Sequence, residues 1–236
     1  MTGYFVTGTD TGVGKTLVAA ALLHTLAVRY ARVVGMKPVA AGGLVQVGTT
    51  WANEDVLALR AASTLAVAPE LDNPYLLPDP LSPQIAAERA GVTIDVDHLV
   101  RCYQQLARLA DAVVVEGAGG FHVPLSDDRT GADLAQALAL PVILVVGLRL
   151  GCLNHALLTV EAIRARGLAL AGWVANRIDP AMLAQADNIA YLQRRLKAPL
   201  LADIAYLGTP PDQAKPGECP SPDPRTIAIT LPAACP

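Results

Sequence analysis

Gly8-Thr9-Asp10-Thr11-Gly12-Val13-Gly14-Lys15-Thr16 is the stretch on which the fold turns. It follows the apolar run Tyr4-Phe5-Val6 and leads into Leu17-Val18-Ala19-Ala20-Ala21-Leu22-Leu23, an apolar stretch of helical character. Strand, glycine-rich turn and helix, in that order, is the setting of a phosphate-binding loop. Gly12 and Gly14 carry no Cβ, so the backbone through Val13 can turn tightly and aim its N–H groups at an anion. Lys15 offers a point charge to β- and γ-phosphates, and Thr16 offers a hydroxyl to Mg²⁺. Thr9 stands where the common pattern has its first glycine and Gly8 lies one residue early, so the loop is a variant of that pattern.

Outward from the loop, apolar runs with strand character alternate with helical stretches. Strands are expected at residues 32–38, 112–116, 141–147, 170–175 and 199–202. Helices are expected at 17–30, 54–62, 83–89, 96–109, 130–140, 154–166 and 182–196. This alternation predicts an α/β fold of the phosphate-loop NTPase kind. Its sheet should be doubly wound and mostly parallel, with helices on both faces and ligands at the carboxyl ends of the strands. Residues 40–50 read as a small, glycine-rich loop, and 117–120 as a flexible turn. Residues 69–83, with five prolines, read as an irregular excursion. Residues 1–208 read as a single domain, and the proline-rich residues 209–236 as an irregular tail.

Composition narrows the function classes. Hydrophobic residues make up 53% of the 236, which suits a parallel sheet covered on both faces. A net charge of −3 without a basic cluster argues against nucleic-acid binding. No apolar run approaches the roughly 20 residues of a membrane span. Met1-Thr2-Gly3 leads straight into a strand, so no signal peptide is expected. Cys102, Cys152, Cys219 and Cys235 form no C-x-x-C pair and read as reduced thiols of a cytoplasmic protein.

Several residues outside the loop sit where chemistry is expected. Glu116 ends an apolar strand, the place of a metal-holding acid in phosphate-loop enzymes. Asp55 is a second candidate metal ligand, although an acid in the first turn of a helix is also ordinary dipole compensation. Lys37 ends a strand and can neutralise charge on a transferring group. Asn176 ends another strand, where its amide can read a base. Asn176-Arg177-Ile178-Asp179 bears a slight similarity to a guanine-reading sequence, so the choice of base stays open. Leu150-Gly151-Cys152-Leu153-Asn154-His155 opens a helix whose N–H groups can bind a carboxylate.

Taken together these stretches resemble the dethiobiotin synthetase family. The resemblance runs from Gly3 to about Leu207 and rests on six segments in order: the phosphate loop, residues 35–40, 115–120, 141–147, 150–155 and 171–176. It implies an ATP- and Mg²⁺-dependent ligase of biotin biosynthesis. That ligase closes the ureido ring of dethiobiotin from 7,8-diaminopelargonate and CO₂, through a carbamate and a carbamic-phosphoric anhydride. By resemblance, Lys37, Lys15 and Thr11 are catalytic, and Thr16, Asp55 and Glu116 hold the metal. Gly12 to Thr16, Gly117, Ala118, Gly119, Asn176, Arg177, Ala205, Tyr206, Leu207 and Asp212 would meet the nucleotide. Thr11, Lys37, Gly119 and the position of Ala41 would meet the diamine. The family is homodimeric, and the partner's copy of Leu150, Gly151, Cys152 and Asn154 would bind the distal carboxylate.

Two residues depart from the family pattern. Ala41 stands where relatives often carry a substrate-binding serine, and Gln84 where a histidine is common. Two other readings compete. A cobalamin-pathway amidoligase would need a glutamine-hydrolysing domain, for which 236 residues leave no room. A partitioning-type switch ATPase would carry a lysine at the position of Asp10.

Overall fold

The computed structural model describes residues 2–208 and 223–232. In chain order its elements begin with β1 (Thr2–Gly8), α1 (Lys15–Ala27), β2 (Val33–Met36), β3 (Val39–Ala41), β4 (Leu44–Val47) and β5 (Thr50–Asn53). Next come α2 (Glu54–Ala62), α3 (Pro69–Asp72), β6 (Tyr75–Leu77), α4 (Pro83–Arg89), α5 (Val96–Leu109) and β7 (Ala112–Gly120). The series closes with α6 (Gly131–Leu138), β8 (Val142–Gly147), α7 (Cys152–Ala165), β9 (Leu170–Asn176), α8 (Gln185–Leu196) and β10 (Leu200–Ile204).

Six strands form one sheet in the order β10-β9-β8-β1-β7-β2, and every neighbouring pair is parallel. The expected doubly wound α/β fold is therefore the observed one. The chain winds from β1 out to β2, returns through β7, then crosses to the other side of β1. Its switch point lies at β1, between β7 and β8, and ligand crevices of such sheets open there at the carboxyl ends.

Side-chain alternation explains the layering. Tyr4 and Val6 of β1 pack with α1 and Leu59 of α2 on one face. Phe5 packs on the other face with Val113 and Val115 of β7 and residues of α5 and α6. Leu144, Val146 and Trp173 continue that second face under α7 and α8. All six residues of β8 are buried, as a strand covered on both faces requires.

The structure corrects several local expectations. The loop read at 40–50 contains an antiparallel hairpin, β4–β5, whose two-residue turn is Gly48-Thr49, with Gly48 at φ +61°. The turn read at 117–120 is strand: β7 continues through Gly120, which pairs with Gly8. A Cβ on Gly117 would lie 3.1 Å from the Phe5 ring, so glycine there serves close packing rather than flexibility. The proline-rich excursion holds α3 and also β6, which pairs in parallel with β3.

Most of the expected tail, 209–222 and 233–236, lies outside the described residues. Residues 223–232 include a 3₁₀ turn, Pro224–Thr226. Ile229 is buried in the α1 cluster, and the Thr230 N–H donates to the Leu201 carbonyl at 3.0 Å. No helix among the described residues is long and apolar enough to cross a membrane. Cys102 and Cys152 are buried free thiols, whereas Cys219 and Cys235 lie outside the described residues.

Candidate active site

The loop after β1 takes the shape its glycines allow. Gly12 and Gly14 have φ of +72° and +89°, a backbone region that other residues adopt only under strain. A Cβ on Gly14 would collide with the Asn176 amide. Asn176, buried at the end of β9, donates from Nδ2 to the Val13 carbonyl at 2.9 Å. Lys15 opens α1, and its ammonium bonds the Asp10 carbonyl at 3.0 Å across the loop. Burial, followed by the nearby charge of Lys37, lowers the Lys15 pKa to about 8.

Four side chains meet beside this loop. Thr16 Oγ1 donates to Glu116 Oε1 at 2.9 Å. The Lys37 ammonium bonds Asp55 Oδ2 at 2.9 Å and also Glu116 Oε1. Lys37 is 5% exposed and Glu116 fully buried. Burial works against the Lys37 charge, but the Glu116 and Asp55 carboxylates outweigh it and raise its pKa. Burial likewise works against the Asp55 charge, and Lys37 outweighs it, so the Asp55 pKa falls.

Local structure sets these positions. Asn53 caps α2, accepting on Oδ1 from Asp55 N–H at 2.9 Å and Val56 N–H at 3.3 Å. Its Nδ2 donates to the Gly42 carbonyl at 2.7 Å, which ties the cap to the base of the β4–β5 hairpin. Lys37 is clamped through its backbone. Its N–H donates to the Asp72 carbonyl at 2.8 Å, and its carbonyl accepts from Asn73 Nδ2 at 2.7 Å. Asp72 is buried, and Arg60 grips both of its carboxylate oxygens at 2.7 and 2.6 Å. Nothing in the sequence pattern marks Asp72 or Asn73 as supports of Lys37, because the contacts cross 35 residues of chain with no periodicity.

These groups line one cleft of about 960 Å³. Of the residues singled out by sequence, Thr11, Gly12, Gly14, Lys15, Thr16, Lys37, Ala41, Asp55, Glu116, Ala118 and Gly119 line it. Pro80, Leu81 and Pro83 add an apolar wall beside Ala41 that sequence reading missed. Val13 is buried behind the loop, and Gly117 packs on Phe5. Asn176 backs the loop rather than lining the cleft. Arg177 is held by Asp203 at 2.9 and 2.8 Å and by Gln185 at 2.8 Å. Ala205, Tyr206 and Leu207 follow β10 and do not line this cleft; Tyr206 and Leu207 are each 38% exposed. Asp212 lies outside the described residues. Leu150, Gly151, Cys152 and Asn154 lie at the start of α7 and do not line this cleft; Leu150 is 94% exposed.

The donor set can be tested against a cation. Thr16, Asp55 and Glu116 offer only hard oxygen atoms, the chemistry of Mg²⁺. Glu116 Oε2 is buried without a hydrogen-bond partner in the described structure, an acceptor still available to a ligand. The residues therefore fit Mg²⁺. Among the described residues no three His, Cys, Asp or Glu side chains cluster to hold a metal.

The chain is similar to several known proteins. A family model described as an AAA domain matches residues 2–210. Two solved structures share the fold: a ParA family ATPase from Chlorobium tepidum TLS and MinD in the MinC:MinD cell division protein complex from Aquifex aeolicus. The first has a TM-score of 0.52 at 15% identity, covering 86% of this chain and 83% of that one. The second has a TM-score of 0.51 at 15% identity, covering 86% and 80%. At that identity they show the fold alone. Sequence is more specific: the ATP-dependent dethiobiotin synthetase BioD of Janthinobacterium sp. (strain Marseille) is 53% identical over 209 residues, 87% of this chain and 89% of the relative. The chain belongs to the ATP-dependent dethiobiotin synthetase family.

Proposed function

We propose that this chain is a dethiobiotin synthetase, joining CO₂ to 7,8-diaminopelargonate at the expense of ATP and closing the ureido ring. The observation that carries the reading is the convergence of Lys15, Thr16, Lys37, Asp55 and Glu116 on one cleft beside a phosphate loop. The named activity of the 53% identical relative supports it.

The chemistry sets a charge problem. One substrate amine adds to CO₂ and forms a carbamate. A carbamate oxygen attacks the γ-phosphorus and ADP leaves. The second amine attacks the carbonyl of the resulting mixed anhydride, phosphate is expelled, and the ring closes. Two anions must approach in the phosphoryl step. Lys15 and Lys37 bring two ammonium groups to that place, and a partly dry site makes their charges count. Thr11 lines the same cleft and would orient the carbamate. Mg²⁺, held by Thr16, Asp55 and Glu116, would supply further charge to the β- and γ-phosphates. Gly12, Gly14 and the loop N–H groups would cradle those phosphates, and Asn176, Arg177 and the 205–207 segment would lie toward the base.

The active enzyme is a homodimer acting in the cytoplasm in this reading. Leu150, Leu158 and Leu183 are 94%, 56% and 87% exposed, a cost that a second copy of the chain would remove. The partner subunit would then bring the N-terminus of its own α7 to the distal carboxylate of the diamine.

Incubation with ¹³C-bicarbonate, ATP, Mg²⁺ and the diamine tests the reaction by mass spectrometry. A ring-closed product carrying one ¹³C supports it. Unchanged diamine alongside hydrolysed ATP would overturn it.

A further inference from the structure

The phosphate loop contains its own acid. Asp10 accepts the Thr11 N–H on Oδ1 at 2.7 Å, and its carbonyl holds the Lys15 ammonium at 3.0 Å. A carboxylate in a loop that receives polyphosphate is a like charge in the wrong place, and it would repel the ligand unless it were compensated. The compensation comes from 139 residues downstream, where the Arg149 guanidinium bonds Asp10 Oδ2. Both side chains are 43% exposed, so the pair sits at the mouth of the loop rather than in the core.

Arg149 is itself firmly seated. Its carbonyl accepts the Cys152 N–H at 3.0 Å at the entry to α7. The preceding residue, Leu148, donates its N–H to the Asn176 carbonyl at 2.7 Å, and the Asn176 side chain donates to Val13. The segment between β8 and α7 thus holds the Asp10 end of the phosphate loop through Arg149, and through Leu148 it meets Asn176 of β9, which holds the Val13 end.

We propose that Arg149 is a positioning residue for nucleotide: it neutralises Asp10 and fixes the Asp10-Thr11 arm so that the loop presents a net positive face to phosphate. Arg149 acts through Asp10 and need not touch the ligand. The proposal rests on the reading of residues 8–16 as a nucleotide-binding loop.

A charge-compensation role predicts second-site rescue, which a merely structural role does not. ADP binding with Mg²⁺ is measured by titration calorimetry for the wild type, Arg149→Ala, Arg149→Lys, Asp10→Asn and the Asp10→Asn/Arg149→Ala pair. Arg149→Ala should weaken ADP binding by about tenfold, because Asp10 is left uncompensated. Arg149→Lys should lie within about threefold of the wild type, since the charge is kept. The double variant should bind within about threefold of Asp10→Asn alone, showing coupling between the two sites. Thermal melts confirm that each variant is folded; if Arg149→Ala is not, Arg149→Gln replaces it in the same cycle. Arg149→Ala binding within twofold of the wild type would overturn the proposal, as would a double variant as weak as Arg149→Ala. A wild-type chain that bound no nucleotide would instead overturn the reading of the loop itself.

Discussion

Thr16 and Glu116 stand 100 residues apart in the chain, yet the threonine hydroxyl donates to the glutamate carboxylate at 2.9 Å. The contact joins the first turn of α1 to β7 across the switch point of the sheet. It leaves Glu116 Oε2 buried and free to accept. If that oxygen serves a cation, Glu116→Gln should lower diamine-dependent phosphate release at least about 100-fold. ADP binding measured without Mg²⁺ should change much less. An unchanged Mg²⁺ dependence of turnover in the variant would count against the assignment.

Lys37 is the counter-charge that Asp55 and Glu116 share. Removing one partner of a buried ion pair leaves the other uncompensated, at a cost of about 3–5 kcal/mol. Lys37→Met should therefore unfold at lower urea than the wild type. Millimolar Mg²⁺ should raise the midpoint of the variant more than that of the wild type, because a cation at the carboxylates replaces the lost charge. Equal Mg²⁺ effects on both proteins would contradict this.

Gly14→Ala meets two obstacles. The residue has φ +89°, and its new methyl group would strike the Asn176 amide. A left-handed backbone at alanine costs about 1–2 kcal/mol, and displacing the amide breaks its bond to Val13. Urea unfolding should show a loss of at least about 1 kcal/mol, and calorimetry should show ADP binding weakened more than tenfold. Asn176→Ala combined with Gly14→Ala should recover part of the stability, since the collision is removed.

Asp133 carries a pH-dependent part of stability. It shares a capping box with Thr130 at the start of α6 and pairs with Arg166 at the end of α7 at 2.6 Å. Burial alone would raise its pKa, but Thr130 and Arg166 outweigh it and bring it from 3.8 down to about 2. A depressed carboxylate pKa stabilises the fold above its unfolded value and loses that contribution as pH falls through its folded value. Asp133→Asn should cost about 1–2 kcal/mol at neutral pH, the usual worth of a cap. The gap from the wild type should narrow steadily below pH 3.8. Urea titrations across that range would expose the opposite trend, a gap that stays constant.

The central layout was legible because its signals are local. The glycines and Lys15-Thr16 mark the loop within nine residues, and Glu116 and Lys37 each close an apolar run whose strand composition is unmistakable, although β7 continues past Glu116 to Gly120. What stayed hidden depends on contacts between distant segments. The β4–β5 hairpin is masked by Gly42, Gly43 and Gly48, residues that usually signal loops. The last four residues of β7 look like a turn because three of them are glycines, of which Gly117 packs closely on Phe5 of β1. The clamp of Asp72 and Asn73 on Lys37, and of Arg149 on Asp10, leaves no pattern in the sequence at all.

The most direct test of the account is phosphate release from ATP and Mg²⁺ in the presence of bicarbonate, with and without 7,8-diaminopelargonate, for the wild type and Lys37→Ala. The account predicts release that requires the diamine and falls at least about 100-fold in the variant, the loss expected when a charge that stabilises the transition state is removed. Equal release with and without the diamine would contradict it, and would mark the cleft as that of an ATPase rather than a synthetase.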